Sequence, residues 1–166
     1  MSKKILVTGG TGYIGSHTAI ELINKGYEPL LIDNLSNSEI GVLDRIKSIT
    51  GKLPHFTQIE MCDPDALDKF FSANKDIAAV IHFAAVLQVG ESVEKALFYY
   101  RNNLLSTLNL LDCMNKYGIE PLVFSSSCTV YGQPDELPVR ESTPRKEAES
   151  PYGNTKKIGE DILVDY

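Results

Sequence analysis

The sequence predicts a Rossmann-like α/β domain, a doubly wound parallel sheet with strand order 3-2-1-4-5. Two observations lead there. Short apolar runs alternate with longer segments of helical period, the mark of strands joined by crossover helices. The first run passes directly into "TGGTGYIGSH", a glycine-rich turn that opens a helix. With 166 residues, 43% hydrophobic and 23% charged, the chain has a globular composition and length enough for one cored domain spanning residues 1–166.

The elements follow in order. "KKILVTG" is the first strand, and a helix from about Ile14 to Lys25 is stopped by Gly26, a residue suited to the left-handed helix end. "EPLLID" is the second strand, "NLSNSEIG" a polar loop feeding a short helix, and "HFTQIEM" the third strand. Asp63 begins another helical run with Asp65 to Ala73. "IAAVIHFAA" is the fourth strand, its unbroken apolar character suited to burial on both faces. One long helix is expected from about Ser92 to Tyr117, where Leu97, Leu104, Leu105, Leu108 and Leu111 recur at helical spacing before Gly118. "EPLVFSSSC" is the fifth strand, left at the sheet edge by this order. The proline-rich and charged stretch from Gly132 to Ser150 has no period and is expected to be a functional loop. Ser150 then caps a last helix with Pro151 in its first turn.

The net charge of -6 argues against broad attachment to nucleic acid or to an anionic membrane. No apolar run is long enough for a membrane span, and the apolar segment of "MSKKILVTGG" is too short for a secretory signal, so a cytoplasmic protein is expected. Cys62, Cys113 and Cys128 lack paired zinc spacing, and His17, His55 and His82 are scattered, so no metal site is expected.

Chemistry concentrates in three places. Gly10, Gly12 and Gly15 satisfy G-x-G-x-x-G, while Gly9, Gly12 and Gly15 satisfy G-x-x-G-x-x-G, and both registers stay open. Either one supplies a tight turn, close backbone approach to a pyrophosphate and a helix N-terminus facing it. Asp33 ends the second strand close to the ~20 residues past the glycines at which an acidic group meets the adenosine ribose. A carboxylate there repels the extra phosphate of NADP, and "NLSNS" has no cation to offset it, so NAD is the expected cofactor.

In "SPYGNTKK", Tyr152 and Lys156 fall one helical turn apart on one face. An ammonium beside a phenol favours the phenolate, which makes the tyrosine a candidate general base. Ser127, at the C-terminal end of the fifth strand in "FSSSCTVYG", stands where open parallel sheets bind ligands and can bond the same substrate oxygen.

Taken together, "VTGGTGYIGSHT", "DNLSNS", "HFAA", "VGES", "YYRNN", "FSSSCTVYG" and "SPYGNTK" resemble the extended short-chain dehydrogenase/reductase family, and within it the nucleotide-sugar 4-epimerases. The resemblance implies epimerisation at C4 of a UDP-hexose, UDP-glucose or UDP-galactose, through a 4-keto intermediate with tightly held NAD. It assigns proton transfer to Tyr152, support of that tyrosine and of the nicotinamide ribose to Lys156, and a bond to the 4-oxygen to Ser127. Cofactor contacts implied by it fall on Tyr13 and Ile14, on Asp33, Asn34, Leu35, Ser36, Asn37 and Ser38, on Glu60 and Met61, on Phe83, Ala84 and Ala85, and on Asn102. Glu60 stands where the family usually has aspartate, and Leu87 where it has a lysine. A homodimer through the long helix and the tyrosine helix is implied as well. Family members continue past the tyrosine helix into a nucleotide-sugar domain, so the chain is expected to be an inactive N-terminal part. Other readings are a non-catalytic NAD-binding module and a 4,6-dehydratase; the latter usually needs an Asp-Glu pair that Cys128 and Thr129 do not supply.

Overall fold

The computed structural model describes residues 2–166. Strands β1 (Lys4–Thr8), β2 (Glu28–Asp33), β3 (His55–Gln58), β4 (Ile77–His82) and β5 (Leu122–Phe124) form one sheet in the order β3-β2-β1-β4-β5, as expected. All four pairings are parallel. Helices α1 (Tyr13–Asn24), α2 (Val42–Thr50), α3 (Pro64–Ala73), α4 (Val89–Glu94), α5 (Ala96–Tyr117) and α6 (Pro151–Asp165) complete the described elements with a 3-10 turn at Cys128–Tyr131.

The helix ends obey local chemistry. Asp63 caps α3 by accepting from the backbone N–H groups of Asp65 and Ala66. Ser150 caps α6 by accepting from Gly153 N, with Pro151 in the first turn. Gly26, Gly51 and Gly118 follow helices with positive φ, a conformation that costs glycine little.

The chain divides into two compact units: residues up to Ala84 with Leu108–Ser125, and Ala85–Thr107 with Ser126–Tyr166. The first holds the sheet. Its most buried strand is β1, where Leu6, Val7 and Thr8 are fully inaccessible. Successive strand residues point to opposite faces. Ile5 and Val7 therefore share a face, and they cluster with Ala19, Ile23, Leu31 and Ile46 from α1, β2 and α2. β4 departs from the expected burial on both faces: Val80 and His82 are buried, whereas Ala79 and Ile81 are half-buried. Ala79 and Ile81 pack against the cluster of Ile5 and Val7 at its margin. Val123 on the edge strand β5 is 59% exposed.

The second unit corrects one expectation. The long helix is broken at Lys95, which has φ -122° and ψ 43°. Tyr99 explains the break. Its buried hydroxyl accepts from Gln88 N at 3.1 Å and donates to Glu91 at 2.7 Å. In one straight helix, residues 88 and 99 would stand about 16 Å apart along the axis, far beyond the reach of a tyrosine. The kink gives the phenol its partners, and burial with the Glu91 bond pushes its pKa up to about 12.

Candidate functional site

In the first unit the glycine turn is built by contacts that admit no side chain. Gly9 has φ +65°, and a Cβ there would lie 2.8 Å from Ala84 N, at the end of β4. A Cβ on Gly10 would stand 2.8 Å from the Cβ of Leu31 on β2. A Cβ on Gly15 would lie 2.2 Å from the Gly9 carbonyl oxygen, so the start of α1 sits directly on the turn. Gly12 is the least crowded, with 3.2 Å to that same oxygen. The turn is locked by Gly10 N donating to Ile32 O and Gly12 N to Gly9 O, both at 3.1 Å. Both glycine registers therefore have a structural basis, Gly9 for the backbone turn and Gly10 for the approach to β2. Tyr13 and Ile14 follow at the helix start, 82% and 56% exposed.

Asp33 stands beside this turn. Its carboxylate accepts from Thr11 N at 3.2 Å, from Leu35 N at 2.9 Å and from the Ser38 hydroxyl at 3.1 Å. Thr11 and Ser38 share a further hydrogen bond at 2.8 Å, so one carboxylate joins the glycine turn to the loop after β2. Leu35 holds φ +62°, unusual for a residue with a side chain, and its bond to Asp33 helps fix it. Asn34 donates to Glu60 at 2.8 Å, and Ser36 N donates to Asn34 Oδ1 at 2.9 Å; Asn37 lies in the same exposed bend. Glu60 also accepts from Cys62 N, and Met61 is buried with its carbonyl taking a bond from Asn109. At the end of β4, Phe83 N donates to Thr8 O and Ala84 N to Thr8 Oγ1, both at 3.2 Å, while Thr8 Oγ1 also bonds His82 Nδ1 at 2.7 Å. Thr8 and Thr11 thus hold the segments on which the expected contacts fall, although the glycine pattern itself points to neither.

The second unit carries Ala85, Asn102, Ser127, Tyr152 and Lys156. Ser127 has extended backbone before the 3-10 turn, and its oxygen accepts from Thr129 N at 3.3 Å and from the Thr129 hydroxyl at 2.9 Å. Thr129 meets α6 where Gly153 leaves room, since a Cβ on Gly153 would stand 3.1 Å from Thr129 Cβ. Ser126 donates to Glu160, two turns further along α6 than Tyr152. Gly153 and Glu160 are separated by roughly 10 Å of helix axis. Ser126 and Thr129 are thus both attached to α6, with Ser127 between them in the chain and Lys156 between residues 153 and 160 of the helix. Lys156 is 5% exposed, and burial pulls its pKa down to about 8. Tyr152 is half-buried.

Asn103, next to the expected Asn102, is the residue that sequence reasoning missed here. Its buried amide accepts from Val86 N at 2.9 Å and from Asn102 Nδ2 at 3.1 Å, and donates to Val86 O and Thr155 Oγ1, each at 3.0 Å. Thr155 in turn donates to Tyr152 O at 2.7 Å. One amide thereby links the Ala85–Val86 loop to α6.

Residues 5–166 match the model of the NAD dependent epimerase/dehydratase family. The chain belongs to that family. Among family members, it is 52% identical over 165 residues to UDP-glucose 4-epimerase of Schizosaccharomyces pombe, covering 97% of this chain and 46% of that protein. It is 53% identical over 161 residues to UDP-glucose 4-epimerase of Bacillus subtilis, covering 97% and 47%. The crystal structure of UDP-glucose 4-epimerase from Bifidobacterium longum in complex with NAD+ and UDP superposes with TM-score 0.95 at 47% identity, over 98% of this chain and 48% of that one. The chain spans about half the length of these relatives. Among the described residues no group of histidine, cysteine and carboxylate side chains can hold a metal, and no helix is long and apolar enough to cross a membrane.

Proposed function

We propose that this chain holds NAD and supplies the proton-transfer residues of a UDP-hexose 4-epimerase that interconverts UDP-glucose and UDP-galactose. The observation that supports the reading is the double attachment to α6 of the residues flanking Ser127, Ser126 to Glu160 and Thr129 against Gly153, on the helix that bears Tyr152 and buried Lys156. Identities of 52% and 53% to two UDP-glucose 4-epimerases support it.

The first unit fits a dinucleotide. Gly9, Gly10, Gly12 and Gly15 would admit the pyrophosphate to the backbone and to the start of α1. Asp33 would accept from the ribose hydroxyls, with Asn34 to Ser38, Glu60 and Met61 around the adenosine end and Phe83 and Ala84 past the end of β4; in the second unit, Ala85 and Asn102 would add cofactor contacts. When bound, NAD supplies a reversible oxidation of sugar C4 with no net redox change. Tyr152 takes the proton of the sugar 4-hydroxyl and gives it back when the opposite face is reduced, as a general base and then a general acid. Lys156, mostly protonated at neutral pH with a pKa of about 8, favours the phenolate during that exchange and bonds the nicotinamide ribose. Ser127 bonds the 4-oxygen and orients it toward Tyr152.

A homodimer is part of the proposal. Leu97, Leu105 and Leu108 repeat along α5 at helical spacing and stay exposed, a stripe suited to a second copy. A cytoplasmic location accords with the absence, among the described residues, of a membrane-spanning helix. The experiment is conversion of UDP-galactose to UDP-glucose by the full-length protein, followed by proton NMR, with Tyr152→Phe as comparison. Conversion that needs NAD and is lost in Tyr152→Phe is the expected result. Undiminished conversion by Tyr152→Phe, or none by the native protein when loaded with NAD, would refute the assignment.

A further inference from the structure

Residues 152, 156 and 160 are four apart, so on a helix of 3.6 residues per turn they span an arc of only about 80°. Glu160 thus occupies the same side of α6 as Tyr152 and Lys156. Both of its carboxylate oxygens are engaged. One accepts the Ser126 hydroxyl, and the other takes Arg145 Nη1 at 2.9 Å. Arg145 also bonds Asp161 at 2.7 Å, which makes its guanidinium a two-point clamp from the loop before α6. The segment that carries Ser127 has its other attachment near Gly153, through Thr129. The backbone is pinned before this segment by Ser125 N donating to His82 O at 3.1 Å and after it by the 3-10 turn, where Val130 N donates to Ser127 O at 3.2 Å, so the Ser126 bond to Glu160 is the tie that sets how Ser126 and Ser127 lie against α6.

We propose that Glu160 is a positioning residue: by holding Ser126 it fixes the distance of Ser127 from Tyr152 and Lys156, and Arg145 orients the carboxylate for this task. The inference rests on the role given above to Ser127 and Tyr152, and concerns a residue that contacts neither substrate nor cofactor. Two carboxylate bonds hold the seat, but only the one to Ser126 transmits it. Displacing a reacting group by ~1 Å costs on the order of a hundredfold in rate, so the effect belongs in kcat.

The test uses Ser126→Ala, Glu160→Leu and Glu160→Gln in the full-length protein, with Ser127→Ala and Tyr152→Phe as parents. Ser126→Ala and Glu160→Leu are expected to lower kcat about 10- to 100-fold with KM for UDP-galactose held within about twofold. Glu160→Gln, whose amide oxygen still accepts from Ser126, is expected to stay within about threefold of native turnover. Should Glu160→Leu fail to fold, Ser126→Ala decides the matter, since it removes one hydroxyl and leaves the Arg145 pair intact. The inference is overturned if Ser126→Ala keeps native kcat while Tyr152→Phe and Ser127→Ala lose it. Equal losses in Glu160→Gln and Glu160→Leu also overturn it, because charge and not the Ser126 bond would then be responsible. Turnover that survives in Tyr152→Phe removes the parent reading and this one with it.

Discussion

Replacing Gly15 by alanine isolates the steric demand of the glycine turn. The new methyl would be built 2.2 Å from the Gly9 carbonyl oxygen and 3.0 Å from Gly10 Cα, where contacts under 3.0 Å essentially never occur. Both obstacles are backbone, so α1 and the turn must separate by about 1 Å. Overpacking of this kind costs about 1–3 kcal/mol and more where the neighbour cannot yield. Alanine returns up to about 1 kcal/mol of helix propensity. A net loss of about 2 kcal/mol lowers Tm by about 4–8 °C in a chain of this size. Gly9 O also accepts Gly12 N, so the displacement reaches the expected pyrophosphate cradle and weakens NAD binding as well. Gly90→Ala is the matched control: it lies within α4 and a Cβ there meets nothing within 4 Å, so propensity should stabilise it. Thermal and urea unfolding of the three proteins, with calorimetric NAD titration, measure the effect. A Gly15→Ala protein as stable as the native one, or a Gly90→Ala protein equally damaged, would refute the steric argument.

Lys156 is expected to trade stability for function. Its folded pKa of about 8 lies below the ordinary 10.5, so the unfolded chain binds more protons between those values and native stability rises with pH across that window. The gap corresponds to roughly 3 kcal/mol when the group is fully charged in both states, so Lys156→Met should melt higher at pH 7 while losing turnover, and its advantage should shrink from pH 8 to 10.5; a constant difference in Tm would contradict this. Asp33→Asn removes a charged acceptor and leaves at least one of three donors poorly matched, so NAD affinity should fall tenfold or more while discrimination against NADP narrows. Unchanged NAD and NADP dissociation constants by calorimetry would count against that assignment. Asn103→Leu strands Val86 N and Val86 O and removes a donor from Thr155 Oγ1, which keeps its bond to Tyr152 O, and should cost about 3 kcal/mol in urea unfolding; a loss below about 0.5 kcal/mol would show that the amide link is dispensable.

The sequence was most legible where chemistry is local. Ser150 caps the helix it was expected to cap, and Asp63, expected to begin a helix, caps it, because a short polar side chain reaches only its own first turn. Strand order followed from runs such as "KILVT", apolar at consecutive positions because both faces of β1 are covered. Lys95 carried no such signal. No proline or glycine marks the break; its cause is Tyr99 reaching Gln88 and Glu91, a contact between residues that a straight helix would keep apart. Asn103 and Glu160 were invisible for a related reason. A buried amide and a half-buried carboxylate look like ordinary polar positions on amphipathic helices until the loop at Val86 and the strand end at Ser126 arrive beside them.

The division of the chain bears on how it is made. Neither compact unit is a continuous stretch: the sheet unit recruits Leu108–Ser125 after the chain has left it at Ala84, and α5 passes from one unit into the other. During synthesis the first four strands emerge before β5 exists, so β4 presents unpaired backbone until residues 122–124 leave the ribosome. No single cut releases either unit whole. Truncation at Ala84 should accordingly yield an aggregating product and not a smaller domain, and a nascent chain stalled there should associate with chaperones until β5 closes that edge.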